Sequence, residues 1–221
     1  MSLAEHIEHT LLKPEATAAA IKKLCLEAKT YHLLGVCINP CYVRLAKTEL
    51  TGTPVKVVTV VGFPLGADVP AVKAAAAAQA VRDGADEVDM VLNVGAVKDG
   101  AWDRVTADIK AVVAAAAPRP VKVIIEACLL TDAEKLQCCE AIAKAGAAFV
   151  KTSTGFNKGG ATVADVKLLA GAAGRLHLQV KAAGGIRDAA AAKAMLAAGA
   201  ERIGTSAGVA IAQAETPGSK A

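Results

Sequence analysis

Along this chain, short runs of apolar and β-branched residues alternate with longer alanine-rich stretches whose apolar positions recur at helical spacing. The runs HIEHTLL (6–12), GVCIN (35–39), VKVVTVVG (55–62), EVDMVLN (87–93), VKVIIEA (121–127), AAFVKTS (147–153), LQVKAAG (178–184) and ERIGTS (201–206) predict eight strands. Helices are predicted over 16–29, 42–50, 71–83, 101–116, 132–145, 161–173 and 188–198, with a further short one after Ser206. The boundaries carry their own chemistry. Thr131-Asp132-Ala133-Glu134 has the form of a capping box, Asp188 that of an N-cap, and Gly84, Gly146 and Gly199 stand where a glycine ends a helix.

Strand and helix in strict alternation, joined by short loops, point to parallel βα units closing into one (β/α)8 TIM barrel, a single domain over residues 1–221. An open doubly wound sheet is the competing architecture. Its glycine-rich turn belongs after the first strand, where this chain has Thr10-Leu11-Leu12-Lys13-Pro14 instead.

Composition narrows the classes of function. A formal charge of +4 is spread without a basic block, and aromatic residues make up 3%, so nucleic-acid binding lacks both the clustered cations and the stacking rings it needs. No run of about 18 strongly apolar residues is present to cross a membrane, and the opening residues lack a signal peptide's pattern. The cysteines Cys25, Cys37, Cys41, Cys128, Cys138 and Cys139 form no metal-binding spacing, so no metal is expected. They read mostly as small buried hydrophobes in a protein of the reducing cytoplasm.

Candidate chemistry lies where charge interrupts apolar strands. Asp89 lies within EVDMVLN, Lys151 ends FVK and Lys181 ends QVK. In a barrel such positions open on the shared active-site mouth. A buried salt bridge is the competing reading for each, but desolvating three ions on different strands costs several kcal/mol apiece unless partners or function retain them. A free lysine titrates near 10.4 and is protonated at neutral pH. A second ammonium nearby disfavours that charge, so the pair Lys151 and Lys181 could present one neutral, nucleophilic amine, with Asp89 carrying protons. Glycine-rich turns follow the same strands: Gly155, then Gly184-Gly185-Ile186-Arg187, then Gly204-Thr205-Ser206. Backbone N–H groups exposed at such turns suit a phosphate.

In order and spacing, HTLLKP (9–14), EVDMVLN (87–93), KTSTGF (151–156), VKAAGGIR (180–187) and RIGTSAG (202–208) resemble the signature segments of the deoxyribose-phosphate aldolase family, across essentially the whole chain. The resemblance implies a class I aldolase that needs no cofactor or metal and reversibly cleaves 2-deoxy-D-ribose 5-phosphate, a small phosphorylated sugar, to acetaldehyde and D-glyceraldehyde 3-phosphate. It implies that Lys151 forms the Schiff base, that Lys181 perturbs it and that Asp89 is the acid/base. It assigns Gly155, Gly184, Gly185, Gly204 and Ser206 to phosphate binding and sets Thr154, Thr10 and Cys37 beside the substrate pocket. A homodimer is within what the resemblance allows.

Glu8, Ala183 and Asn157-Lys158 depart from the family's usual residues. A different imine-forming barrel aldolase, a metal-assisted enzyme using Glu126 and a sugar-phosphate binder without turnover stay open. In the metal-free readings Glu126 is expected to partner a neighbouring cation.

Overall fold

The computed structural model describes residues 2–215; Met1 and residues 216–221 of the expected domain lie outside that range. Its eight strands are β1 (Ile7–Leu11), β2 (Gly35–Ile38), β3 (Lys56–Val61), β4 (Glu87–Val91), β5 (Val121–Ile124), β6 (Phe149–Lys151), β7 (Gln179–Ala183) and β8 (Arg202–Thr205). All pair in parallel and in chain order, and β1 closes the barrel by pairing with both β2 and β8. Each expected strand run contains one of them, and closure rules out the open sheet.

The helices form the outer layer: α1 (Ala18–Thr30), α2 (Val43–Glu49), α3 (Pro70–Asp83), α4 (Val94–Lys98), α5 (Trp102–Ala116), α6 (Asp132–Lys144), α7 (Val163–Leu176), α8 (Ala189–Ala197) and α9 (Gly208–Gln213). Only α4 falls where no helix was expected. The run VGAVK (94–98) is too short to show a helical period, but Asn93 caps the turn by accepting from Ala96 N. The Thr131/Glu134 capping box and the Asp188 N-cap both form as expected. Gly84 adopts the left-handed φ of 107° that ends α3.

Alternation along each strand divides the protein into two kinds of interior. Side chains such as Val57, Val88, Met90, Val123, Val150, Val180 and Ile203 belong to a large apolar cluster between barrel and helices. The opposite phase points into the barrel. On β2 and on β3 above Lys56 that phase is apolar, with Cys37, Val58 and Val60 joining Leu12, just past β1, in a second cluster against Phe63. From β4 to β7 it carries Glu87, Asp89, Lys122, Lys151 and Lys181, all buried, joined by Glu8 from β1. A barrel interior is ordinarily filled by branched apolar side chains. Here half of it is ionic, and six buried charges need mutual compensation.

Candidate active site

Register explains how these charges meet. Asp89 lies beside Lys122 across the β4–β5 pair, and Lys151 lies beside Lys181 across β6–β7. Lys151 and Lys181 both donate to Asp89 Oδ2, at 2.8 and 2.6 Å. Lys122 donates to the other oxygen, Oδ1, at 2.9 Å. Lys181 also donates to Glu8 Oε2, while Glu8 Oε1 is 3.5 Å from Lys122 Nζ. The three residues expected to carry chemistry are thus brought together. Lys122, Glu8 and Glu87 complete the cluster and were not anticipated as site residues. Lys122 carries the same signal as the other lysines, a cation inside VKVII, but it sits near the strand's N-terminal end, where a lysine reads as leaving for solvent.

Partners decide the ionisation of these groups. Burial acts to raise the Asp89 carboxyl, yet Lys122, Lys151 and Lys181 overcome it and hold the group well below the usual range. Burial acts to lower Lys181, but Asp89 and Glu8 outweigh it and hold the ammonium above the ordinary lysine range. Lys122 is raised in the same way, against burial, by Asp89, Glu8 and Glu87. Burial pushes the Cys37 thiol up, so it stays protonated.

Above the cluster opens a cavity of about 430 Å³ at the C-terminal end of the strands. Lys151 reaches its floor. Thr10, Thr154, Gly155, Gly184, Gly185, Gly204 and Ser206 line its walls, as do Ala183 and Arg187. The loops after β6 and β7 lean on one another: Ala161 N donates to Gly184 O, and Gly184 takes a left-handed φ of 90°. A side chain on Gly160 would place its Cβ 2.4 Å from Gly184 O, a close approach that only glycine permits. Sequence reasoning passed over Gly160 because nothing local distinguishes it from an ordinary loop glycine.

Of the remaining positions, Cys37 and Glu126 are placed differently from expectation. Cys37 is fully buried in the apolar half of the interior, beside Glu8 and Asp89, and is not on the cavity wall. The Thr10 hydroxyl is engaged with Glu8 O at 3.0 Å. Among the described residues Glu126 has no cation for a partner: its carboxylate accepts from Thr154 N at 3.2 Å and from Thr154 Oγ1 at 2.5 Å. It holds a left-handed φ of 50° to do so, a conformation unusual for a residue with a side chain. Asn157 and Lys158 are exposed, off the cavity wall. Glu8, Cys37 and Asp89 bring potential ligand atoms within 4.8 Å of one another, but ammonium groups already occupy both carboxylates, so a dication there would meet like charge.

A strand-end lysine under an open cavity, facing a buried carboxylate and a second lysine, brings together the groups that imine chemistry on a barrel needs. A profile of the DeoC/LacD family aldolases matches residues 5–214, and the chain belongs to that family. It is 55% identical to a deoxyribose-phosphate aldolase of Streptococcus gordonii over 216 residues, covering 98% of each chain. With the enzyme of that name from a Geobacillus species it shares 55% identity over 219 residues, 99% of this chain and 98% of the relative. Among solved structures, the deoxyribose phosphate aldolase of Aeropyrum pernix, a tetramer, superposes with a TM-score of 0.87 at 34% identity, covering 96% of this chain and 90% of that one.

Proposed function

We infer that this protein is a deoxyribose-phosphate aldolase, a lyase that cleaves 2-deoxy-D-ribose 5-phosphate through a Schiff base on Lys151. One observation carries the choice of lysine. Among the described residues, Lys181 has Glu8 in addition to its share of Asp89, and Lys122 has Glu8 and Glu87 besides Asp89, whereas Lys151 has only a share of one Asp89 oxygen. Lys151 is therefore the amine with least anionic support and the one that reaches the cavity.

In the cleavage direction the neutral Lys151 amine attacks the C1 aldehyde of the open-chain sugar, and the carbinolamine loses water to give an iminium ion. Loss of the C3 hydroxyl proton then breaks the C2–C3 bond. The electron pair moves into the iminium as an enamine, and D-glyceraldehyde 3-phosphate leaves. Protonation at C2 and hydrolysis release acetaldehyde and restore the lysine. Asp89, held anionic, accepts and returns protons beside Lys151, while cationic Lys181 disfavours a second positive charge there. The phosphate lies against the backbone N–H groups around Gly184 and Gly185 and the Ser206 hydroxyl, with Gly155 and Gly204 leaving room for it and Thr154 beside it.

All these groups come from one chain, so the reading holds for a monomer or a homodimer. Six free thiols and no described helix long and apolar enough to cross a membrane support a place in the reducing cytoplasm. Borohydride reduction in the presence of acetaldehyde, followed by peptide mapping, tests the mechanism. The expected adduct is on Lys151; an adduct on Lys181 instead would reverse the assignment.

A further inference from the structure

The ion network continues below the active site. Glu87, two residues before Asp89 on β4, faces inward one layer nearer the barrel floor. Its Oε2 lies 2.5 Å from Lys122 Nζ, an ion contact without the angle of a hydrogen bond, and its Oε1 accepts from Lys56 Nζ at 2.5 Å. Lys56 opens β3, and its side chain is 39% exposed. It borders a depression of about 500 Å³ at the N-terminal end of the barrel, shared with Lys47, Asp86 and Arg119. Charges thus alternate from mouth to floor: Lys151, Asp89, Lys122, Glu87, Lys56, with each link between 2.5 and 2.9 Å.

Every facing group belongs in the balance. Lys151 meets Asp89 of β4, whose same oxygen serves Lys181 of β7, and Cys37 of β2 lies beside Asp89 and Glu8. Lys122 meets Asp89, Glu87, Glu8 of β1 and the ring of Phe149, which Arg202 of β8 also approaches at 5.6 Å. Among the described residues Glu87 meets the cations Lys122 and Lys56 alone, while Asp86 serves Lys47 and Arg119. Inside the barrel, Lys122, Lys151 and Lys181 offset Glu8, Glu87 and Asp89. Once Lys151 has shed its proton that set carries one excess negative charge, and Lys56 is the cation in contact that restores neutrality.

We propose that Lys56 and Glu87 are positioning residues of the aldol reaction, setting through this ion chain, from the face opposite the substrate, how readily Lys151 becomes the free amine. The proposal rests on the imine reading of Lys151. The chain is electrically engaged at its lower end: burial acts to raise the Glu87 carboxyl, but Lys122 and Lys56 hold it below the usual range. Without Lys56, Glu87 turns wholly to Lys122, which relaxes its hold on Asp89, and Asp89 grips the Lys151 ammonium more firmly. Without the Glu87 charge, Lys122 leans on Asp89 and Lys151 is released. A purely architectural role predicts loss of stability with no signed effect on the amine.

The test is the pH dependence of borohydride trapping of acetaldehyde on Lys151, for the unsubstituted protein, Lys56→Met, Glu87→Gln and the double variant. Lys56→Met should move the midpoint up by roughly half a unit or more, the size expected for one charge at this remove in a partly solvated interior. Glu87→Gln should move it down, and the double variant should return close to the unsubstituted value. Unmoved midpoints, or shifts of the same sign in both single variants, would overturn the proposal. Should Glu87→Gln fail to fold, Lys56→Met decides alone, since its side chain reaches solvent. An adduct on Lys151 with an unmoved midpoint sinks this inference only; absence of that adduct from the unsubstituted protein sinks the imine reading and this inference with it.

Discussion

Lys151 and Lys181 share a single acceptor, Asp89 Oδ2, at 2.8 and 2.6 Å. Two ammonium groups on one oxygen is a geometry in which neutralising either strengthens the hold on the other. Lys181→Leu removes the competing cation and leaves that oxygen to Lys151, with Lys122 still on Oδ1. The pH needed for imine formation should therefore rise by one unit or more. Borohydride trapping measured across pH checks this, and an unchanged profile would mean that burial rather than Lys181 tunes the nucleophile.

The Thr154 hydroxyl donates to a buried carboxylate, Glu126, at the turn that leads from Lys151 into the cavity wall. Thr154→Val removes that donor while keeping the side chain's shape. A buried carboxylate deprived of a hydrogen bond costs about 1–3 kcal/mol, measurable by denaturant unfolding. The KM for the phosphorylated substrate should rise about tenfold, an effect of the same order, with kcat less affected because Lys151 is untouched. Equal falls in kcat and kcat/KM would instead place Thr154 at the bond-breaking step.

Gly160 packs its Cα against the Gly184 backbone, and a Cβ there would lie 2.4 Å from Gly184 O. Backbone cannot yield as a flexible side chain can, so Gly160→Ala must displace the turn after β7. Affinity for the 5-phosphate should fall by roughly an order of magnitude or more, the cost of losing one or two charge-assisted hydrogen bonds. Activity on unphosphorylated 2-deoxyribose should fall less; equal losses on both substrates would detach this turn from phosphate binding.

Glu134, in the capping box of α6, is held at about 2 by Lys98 first and then by the Thr131 N–H. A depressed carboxyl stabilises the fold above its unfolded value near 4.3, and that stabilisation is lost as pH falls toward the folded value. Thermal unfolding of Glu134→Gln should thus show its largest deficit at pH 7 and a narrower one near pH 3. A deficit independent of pH would assign the effect to capping geometry alone.

Much of this was written locally in the chain. The eight strand runs, the capping box, the Asp188 N-cap and the glycine stops follow from short-range periodicity and backbone preference, which need no distant partner. Charges at Asp89, Lys151 and Lys181 stand out because each interrupts an apolar run, and the signature segments around them point to the family. Tertiary structure decided how the charges are shared. Lys151 and Lys181 reach the same oxygen from 62 and 92 residues away in sequence, and only the register of a closed barrel brings them there. Closure also turned Lys122, Glu8 and Glu87, none of them read as a site residue from the sequence, into partners, gave Glu126 a threonine instead of a cation, and left Cys37 buried off the cavity wall. Periodicity determines which way a side chain points; which charge it meets depends on strands whose separation in sequence carries no record of their neighbourhood in space.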